Sequence, residues 1–141
     1  MKVTVIKNID PDYSDKAKKA IKKAVRDVSE YCHEKVKVNS PKRSGALSRS
    51  WVMEQIGALQ HKVATSIKYA KWVNDGTGIY GSGRPITPKR AKYLRFTIGG
   101  RTIYAKSVRG QKGQKYVEKT VSQTKAQAAR IVGSALRKAG L

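Results

Sequence analysis

The sequence predicts an α+β fold in which a long N-terminal helix and a C-terminal helix pack on a small, mainly antiparallel β-sheet with a long glycine-rich loop. Three patterns indicate it: an apolar stripe at helical spacing over residues 12–36, a second stripe over residues 116–138, and a Gly99-Gly100 turn between two segments of alternating polarity. Because a chain of 141 residues fits one domain, we expect residues 1–141 to form a single domain.

The N-terminal segment predicts a short strand followed by a helix. Residues 3–6, Val-Thr-Val-Ile, are rich in β-branched side chains, and residues 8–11, Asn-Ile-Asp-Pro, end the strand. A helix over residues 12–36 follows, and either Asp12 or Ser14 can cap it. Its apolar stripe comprises Ala17, Ala20, Ile21, Ala24, Val25, Val28, Tyr31 and Cys32.

The middle of the chain predicts two strands between two loops. Residues 39–45 form a turn-rich basic loop, and residues 50–56 and 62–67 form strands joined as a hairpin through residues 57–60. A loop over residues 75–89 holds four glycines and two prolines. Because so long a loop is unusual in a small domain, we expect it to be functional or mobile.

A second hairpin is predicted where Gly99-Gly100 separates residues 93–98 from residues 101–105. A two-residue glycine turn between alternating segments is typical of a β-hairpin. One face of the hairpin is then apolar and the other polar. The expected pairs are Phe96 with Ile103 and Leu94 with Ala105 on the apolar face, and Arg95 with Tyr104 and Thr97 with Thr102 on the polar face.

The last helix is predicted over residues 116–138. Arg137 and Lys138 complement the negative C-terminal end of this helix. Its apolar stripe comprises Val117, Val121, Ala128, Ile131, Val132, Ala135 and Leu136.

The net charge of +22 is unevenly distributed. Residues 1–34 hold eight basic and six acidic side chains, whereas residues 35–141 hold 23 basic and three acidic ones. Such a surface attracts polyanions, nucleic acid first and acidic protein surfaces second. A plain lysine-rich, highly soluble surface also fits the composition. The residues expected to face a polyanion are Lys89, Arg90, Lys92, Arg95, Arg101, Lys106, Arg109, Lys112 and Lys115.

The sequence does not predict catalysis, a cofactor site or a metal site. Residues 76–81 spell G-x-G-x-x-G, but the segment that follows contains Pro85 and Pro88, which cannot open the helix that a dinucleotide site needs. His33 and His61 are the only histidines, and no Cys-x-x-Cys or histidine pair has metal spacing. Six of the nine carboxylates precede residue 35, so a carboxylate cluster for hydrolysis is hard to build. We therefore predict that the protein is not an enzyme and has no small-molecule substrate.

The N-terminal residues do not resemble a secretory signal, since polar residues follow the first six at once. No apolar run approaches the roughly 20 residues of a membrane span. The single cysteine, Cys32, excludes an intrachain disulfide. We expect a protein that is made in a reducing cytoplasm and does not contact a membrane.

Three segments resemble, in their order and spacing, the tail-component or minor-capsid family of long-tailed phages, which includes head–tail joining, tail-completion and neck proteins. Residues 40–50, SPKRSGALSRS, resemble the family's P-x-x-T/S-G-x-L-x-x-S turn that leads into the sheet. Residues 69–78, YAKWVNDGTG, resemble its Y-A-x-x-V-E-x-G-T-G segment. Residues 104–117 resemble its G-x-x-P-x-x-F segment, which starts the last helix. The resemblance covers about residues 36–141.

This resemblance implies a non-catalytic subunit of an oligomeric ring in the neck between the capsid connector and the tail. The implied partners are copies of the protein itself, portal-side and tail-side virion proteins and, at the basic face, genomic DNA. The implied location is the neck of the virion, reached from the host cytoplasm during assembly. A stand-alone DNA- or RNA-binding protein is the alternative function. The residues expected to reach neighbouring subunits are Pro41, Lys42, Arg43, Gly45, Gly76, Gly78, Tyr80 and Arg84.

Overall fold

The computed structural model describes residues 1–7 and 14–141, which form two compact units. We call Met1–Lys68 together with Tyr116–Leu141 the helical unit, and Tyr69–Lys115 the basic unit. The single domain expected from the length stays a prediction, because compactness does not test whether the units unfold together. In chain order the elements are β1 (Lys2–Ile6), α1 (Asp15–Asn39), α2 (Ala46–Ser50), β2 (Val52–Gly57), β3 (Gln60–Ala64), α3 (Ala70–Asp75), a 3-10 turn (Gly78–Tyr80), β4 (Leu94–Ile98), β5 (Arg101–Ala105) and α4 (Tyr116–Lys138).

The helical unit contains a three-stranded antiparallel sheet in the order β1-β3-β2. Val63 in the central strand pairs with Val3 on β1 and Met53 on β2, and it is fully buried. The predicted strand at residues 3–6 and the first predicted hairpin are confirmed. The strand bounds differ from those predicted. Ser50 ends α2 instead of opening a strand, so β2 begins at Val52, and β3 spans Gln60–Ala64 where residues 62–67 were predicted.

Helix α1 packs on all three strands and presents its predicted apolar stripe to them and to α4. It begins after Ser14, whose Oγ accepts a hydrogen bond from the Ala17 amide at 3.2 Å. The predicted strand break at residues 8–11 and the alternative cap Asp12 lie outside the described residues. Helix α1 continues to Asn39, three residues beyond the predicted end, and the Ser40 amide donates to the Val36 carbonyl at its end.

Helix α4 packs along α1 and has the predicted bounds. Its contact face contains two buried threonines that the stripe did not include, Thr120 and Thr124. Each hydroxyl donates to the carbonyl four residues earlier, at 2.8 Å, so the buried oxygen is satisfied within the helix. Asn39 of α1 donates to Thr120 Oγ1 at 3.0 Å and so joins the two helices. No helix within the described ranges is both long and apolar enough to cross a membrane.

A buried tryptophan, which lies between α2 and β2 in the sequence, contacts both α1 and α4. Trp51 is 2 % exposed, and its ring meets that of Tyr116 edge to face, with ring centroids 6.4 Å apart. His33 Nε2 lies 2.8 Å from the Trp51 carbonyl oxygen, which ties the residue after α2 to α1. The α+β class, the two long helices and the antiparallel pairing predicted from the sequence are therefore confirmed.

The basic unit contains α3, the 3-10 turn and the β4–β5 hairpin. The hairpin has the predicted register, with Arg95 opposite Tyr104 and Phe96 opposite Ile103. It forms a separate two-stranded sheet. Residues 75–89, predicted as one long glycine-rich loop, are instead divided: α3 ends at Asp75, the 3-10 turn follows, and Ile86 forms an antiparallel bridge with Val108.

Candidate assembly and polyanion-binding surfaces

Two segments of the basic unit, residues 74–81 and residues 109–115, cross each other through close backbone contacts. The Ile79 amide donates to the Arg109 carbonyl at 2.8 Å, and the Thr77 amide donates to the Gln111 carbonyl at 2.9 Å. The Gln111 amide returns a bond to Thr77 Oγ1 at 2.9 Å. The Lys115 amide donates to the Asn74 carbonyl at 3.0 Å. These bonds join residues that are 30 to 41 positions apart in sequence.

Four glycines at this crossing, Gly76, Gly78, Gly110 and Gly113, make the close approach possible, and we call them the glycine clasp. A Cβ on Gly76 would lie 2.8 Å from the Gly113 nitrogen. A Cβ on Gly78 would overlap the Arg109 carbonyl oxygen, and one on Gly110 would overlap the Thr77 carbonyl oxygen. Gly78 also has a φ of +60°, which L side chains rarely adopt. Glycine is therefore required here for both space and backbone conformation.

Four of the predicted assembly residues lie in the clasp or shortly after it in the sequence. Gly76 and Gly78 are buried inside it, so they hold the segment and do not project from it. Tyr80 and Arg84 are exposed in the turn that follows. If this segment contacts a neighbouring subunit, Tyr80 and Arg84 are the side chains that reach it, while the glycines fix their backbone.

The other four predicted assembly residues lie in the helical unit, between α1 and α2. Lys42 and Arg43 are exposed, whereas Pro41 and Gly45 are half-buried. The segment is short and anchored at both ends: the Arg49 amide donates to the Gly45 carbonyl at 3.0 Å, and Ser48 Oγ donates to the Lys37 carbonyl at 2.7 Å. Of these four residues, only Lys42 and Arg43 are exposed enough to reach a neighbouring subunit.

All nine cations predicted to face a polyanion lie in the basic unit, and all nine side chains are exposed. This unit has eleven Lys and Arg residues but a single acidic residue, Asp75. Asp75 Oδ1 lies 3.9 Å from Lys115 Nζ, a weak surface ion pair. The unit contains no second carboxylate that could pair with the other ten cations. Its positive charge is therefore not neutralised within the unit.

The β4–β5 hairpin divides its side chains as predicted. Phe96 on the apolar face is half-buried and lines a groove of about 530 Å³ together with Ile86 and Val108 of the same unit. On the polar face, Arg95 and Tyr104 form a cross-strand pair, and both side chains are exposed, Tyr104 to 63 %.

Several exposed apolar side chains were not selected from the sequence. Trp72 on α3 is 60 % exposed, and Tyr69 beside it is also exposed. Val52 on β2 is 59 % exposed, and Ile6 on β1 lies on the same outer face of the three-stranded sheet. An aromatic residue that fits no predicted core stripe is the signal that could have identified Trp72.

The titratable core groups do not form a reactive site. Burial raises the pKa of the Cys32 thiol, and a hydrogen bond with Thr124 opposes that shift. The thiol is fully buried, so it behaves as a small core side chain. Within residues 1–7 and 14–141, no three His, Cys, Asp or Glu side chains come close enough together to hold a metal ion.

No curated protein and no solved structure matches the sequence. One family, described as "Bacteriophage HK97-gp10, putative tail-component", matches residues 4–76, just over half of the chain. The match covers the resemblance segment at residues 40–50 and reaches the first clasp glycine, Gly76. Because the match covers more than half of the chain, the chain belongs to the HK97-gp10-like family of phage tail components and is a structural protein of a bacteriophage virion.

Proposed function

We propose that this protein is a subunit of the head–tail neck, a tail-completion or head–tail joining protein that acts as one copy in an oligomeric ring between the capsid connector and the tail. Membership of a tail-component family is the observation that carries the proposal. The function rests on assembly and not on chemistry, since a subunit of this kind binds its neighbours and needs no catalytic residue. The subunit reaches the neck from the host cytoplasm during assembly.

The exposed apolar surface supports a role in an assembly. Trp72 and Tyr69 in the basic unit and Val52 and Ile6 in the helical unit are large apolar side chains that a soluble monomer gains nothing by exposing. The outer edges of β1 and β2 pair with no strand in the described ranges. Open edges and apolar faces are the surfaces through which identical subunits commonly associate.

The charge supports an association that depends on partners. Like-charged copies at +22 repel each other, so we expect the free protein to be monomeric at low salt. A partner surface of opposite charge would neutralise that charge and allow the ring to close. A salt-insensitive ring of the isolated protein would contradict this expectation.

The test is negative-stain microscopy with mass determination on the protein alone and mixed with tail-less capsids of its virus. We expect rings, or added density at one capsid vertex. A protein that stays monomeric and ignores capsids would overturn the neck assignment. The stand-alone nucleic-acid-binding alternative, which the charge of the basic unit favours, would then be the better account.

A matched pair of variants sharpens the test. Trp72→Ser removes an exposed apolar side chain from α3, and we expect it to reduce the vertex-bound fraction at least tenfold without changing the thermal midpoint. Lys19→Ser changes a side chain that is also exposed, on α1, and serves as the control. Equal binding of both variants would exclude Trp72 from the interface but would leave the vertex assay of the unmodified protein to decide the function.

A further inference from the structure

We infer that the basic unit binds double-stranded DNA, with the polar face of the β4–β5 hairpin against the duplex and the flanking cations on its phosphates. This inference goes beyond the neck assignment and does not depend on it, because it rests on the charge and geometry of Tyr69–Lys115 alone. The unit carries eleven basic residues against one acidic residue in 47 positions. A positive field of this density is typical of a surface that tracks a polyanion.

The orientation of the hairpin follows from its two faces. On the apolar face, Phe96 lines the groove with Ile86 and Val108, and the groove continues to Thr97 and Ile98 near the hairpin tip. The polar face is the one that offers hydrogen-bond donors to a partner. It presents Arg95, Tyr104 and the Thr97–Thr102 pair, and all four side chains are exposed. Guanidinium and hydroxyl groups of this kind are common donors to phosphate oxygens.

The dimensions of the hairpin fit a duplex. Paired strands lie about 4.8 Å apart, and the major groove of B-DNA, about 12 Å wide, admits a two-stranded β-ribbon. The turn at Gly99-Gly100 has no side chains, and a Cβ at either position would meet nothing within 4 Å, so the tip is slim and unobstructed. Arg101 lies directly after the tip and is exposed, but it pairs with Ile98 on the apolar face of the hairpin.

The spread of the cations favours DNA over an acidic protein. Three lie before the hairpin, at Lys89, Arg90 and Lys92, and four lie after it, between residues 106 and 115. A duplex presents one negative charge per roughly 1.7 Å along its whole length, so dispersed cations can each find a phosphate. A compact acidic patch on a protein would pair with only some of them.

Duplex DNA also fits better than single strands or RNA. Stacking platforms for single strands use several aromatic rings in succession, whereas the hairpin and its entry offer two exposed rings, Tyr104 on β5 and Tyr93 directly before β4. The major groove of A-form RNA is too deep and narrow for side chains to read. We therefore assign the surface to B-form DNA and to backbone contacts, without sequence preference.

The test is fluorescence anisotropy of the full-length protein with a labelled duplex of about 30 base pairs of arbitrary sequence, titrated between about 50 and 200 mM salt. The variant is Arg95→Gln with Lys92→Gln, which removes the polar-face cation and an exposed flanking cation directly before β4. The control is Lys19→Gln with Lys22→Gln, which removes the same charge from exposed positions on α1. Single-stranded DNA and poly-L-glutamate are the competitors, and the thermal midpoint of each variant is measured alongside.

We expect the unmodified protein to bind the duplex at physiological salt and to prefer it over both competitors. The hairpin variant should weaken binding roughly tenfold or more and lower the slope of log K against log salt by about 2, because each lost phosphate contact removes about one counterion. The control should change the affinity by less than threefold.

Equal losses in the two variants would overturn the assignment to the hairpin, since they would reflect net charge alone. Stronger binding of poly-L-glutamate would overturn the DNA assignment in favour of an acidic protein partner, and stronger binding of single strands would overturn the groove geometry. A failure of DNA binding leaves the capsid-vertex experiment unaffected, so the two proposals fail separately.

Discussion

Among the described residues, the helical unit buries twelve apolar side chains, including Trp51 and Val63, whereas the basic unit buries only that of Ala70. The other buried residues of the basic unit are Asn74 and two clasp glycines, Gly76 and Gly78. Hydrophobic packing stabilises the first unit, and backbone hydrogen bonds with close glycine contacts hold the second. A unit that buries so little apolar surface is expected to open at a lower free energy and can keep its surface for partners.

The sharpest test of this difference uses the chain's two tryptophans, one in each unit. Trp51→Ala removes a buried ring that packs on Tyr116, so we expect a loss of about 3–5 kcal/mol in the free energy of unfolding. Trp72→Ala removes a ring that is 60 % exposed, and we expect a change within about 0.5 kcal/mol. Urea unfolding followed by circular dichroism measures both. Similar losses would mean that the basic unit has a core as important as that of the helical unit.

A glycine pair tests whether the basic unit depends on its clasp. Gly78→Ala places a Cβ against the Arg109 carbonyl at a positive φ, and we expect about 2–4 kcal/mol of local destabilisation. Gly83→Ala is the control, because its φ of +82° is equally unfavourable but its Cβ would meet nothing within 4 Å. It should cost about 1–2 kcal/mol from the backbone conformation alone.

Amide hydrogen exchange resolves where the destabilisation appears. In Gly78→Ala, the amides of Thr77, Ile79 and Gln111 should exchange faster, while those of α1 and α4 keep their protection. Uniform loss of protection across both units would show that they unfold together, as the single-domain prediction implies.

The unit that hydrophobic packing stabilises is also the one whose helices the sequence predicts best. The stripes of α1 and α4 are long and periodic, so the bounds of α4 are correct and α1 differs by three residues at each end. The β4–β5 register is correct because a two-residue turn fixes it locally. Helix α2 was missed because five residues are too few to show a helical period.

The clasp could not be predicted, because glycines have no side chain to leave a pattern and the two crossing segments are about 30 residues apart. The candidate cations were selected by charge alone, and their exposure follows from the cost of burying an unpaired charge. Which of them share a face depends on the hairpin register. Trp72 lies outside every predicted core stripe, which is the one sequence signal of its exposure, and the structure gives the exposed fraction as 60 %.

A smaller effect is expected at the contact between α1 and α4, where polar groups join the two helices. Asn39 Nδ2 donates to Thr120 Oγ1 at 3.0 Å and to Gln123 Oε1 at 2.8 Å. Asn39→Ala removes both bonds, and we expect a loss of about 1–2 kcal/mol in urea unfolding. Asn39→Asp keeps the shape but replaces the donor with an acceptor, so it should cost at least as much. No loss in either variant would mean that packing alone holds the helices together.

The smallest effect concerns the pH dependence of the helical unit. Burial holds the pKa of Cys32 above its ordinary value in the folded state, so at rising pH the unfolded thiol loses its proton first. The stability that this group contributes is fully present below the unfolded pKa and is lost as the pH rises through the folded pKa. The free energy of unfolding should therefore fall more steeply above about pH 8.5 in the unmodified protein than in Cys32→Ala, which lacks the thiol. In the folded protein, the Cys32 thiol should react with a disulfide reagent only when the helical unit opens. Without urea, the rate of this reaction should therefore fall to the background rate. Fast reaction under native conditions would show that α1 and α4 separate easily, and the helical unit would then be no more rigid than the basic one.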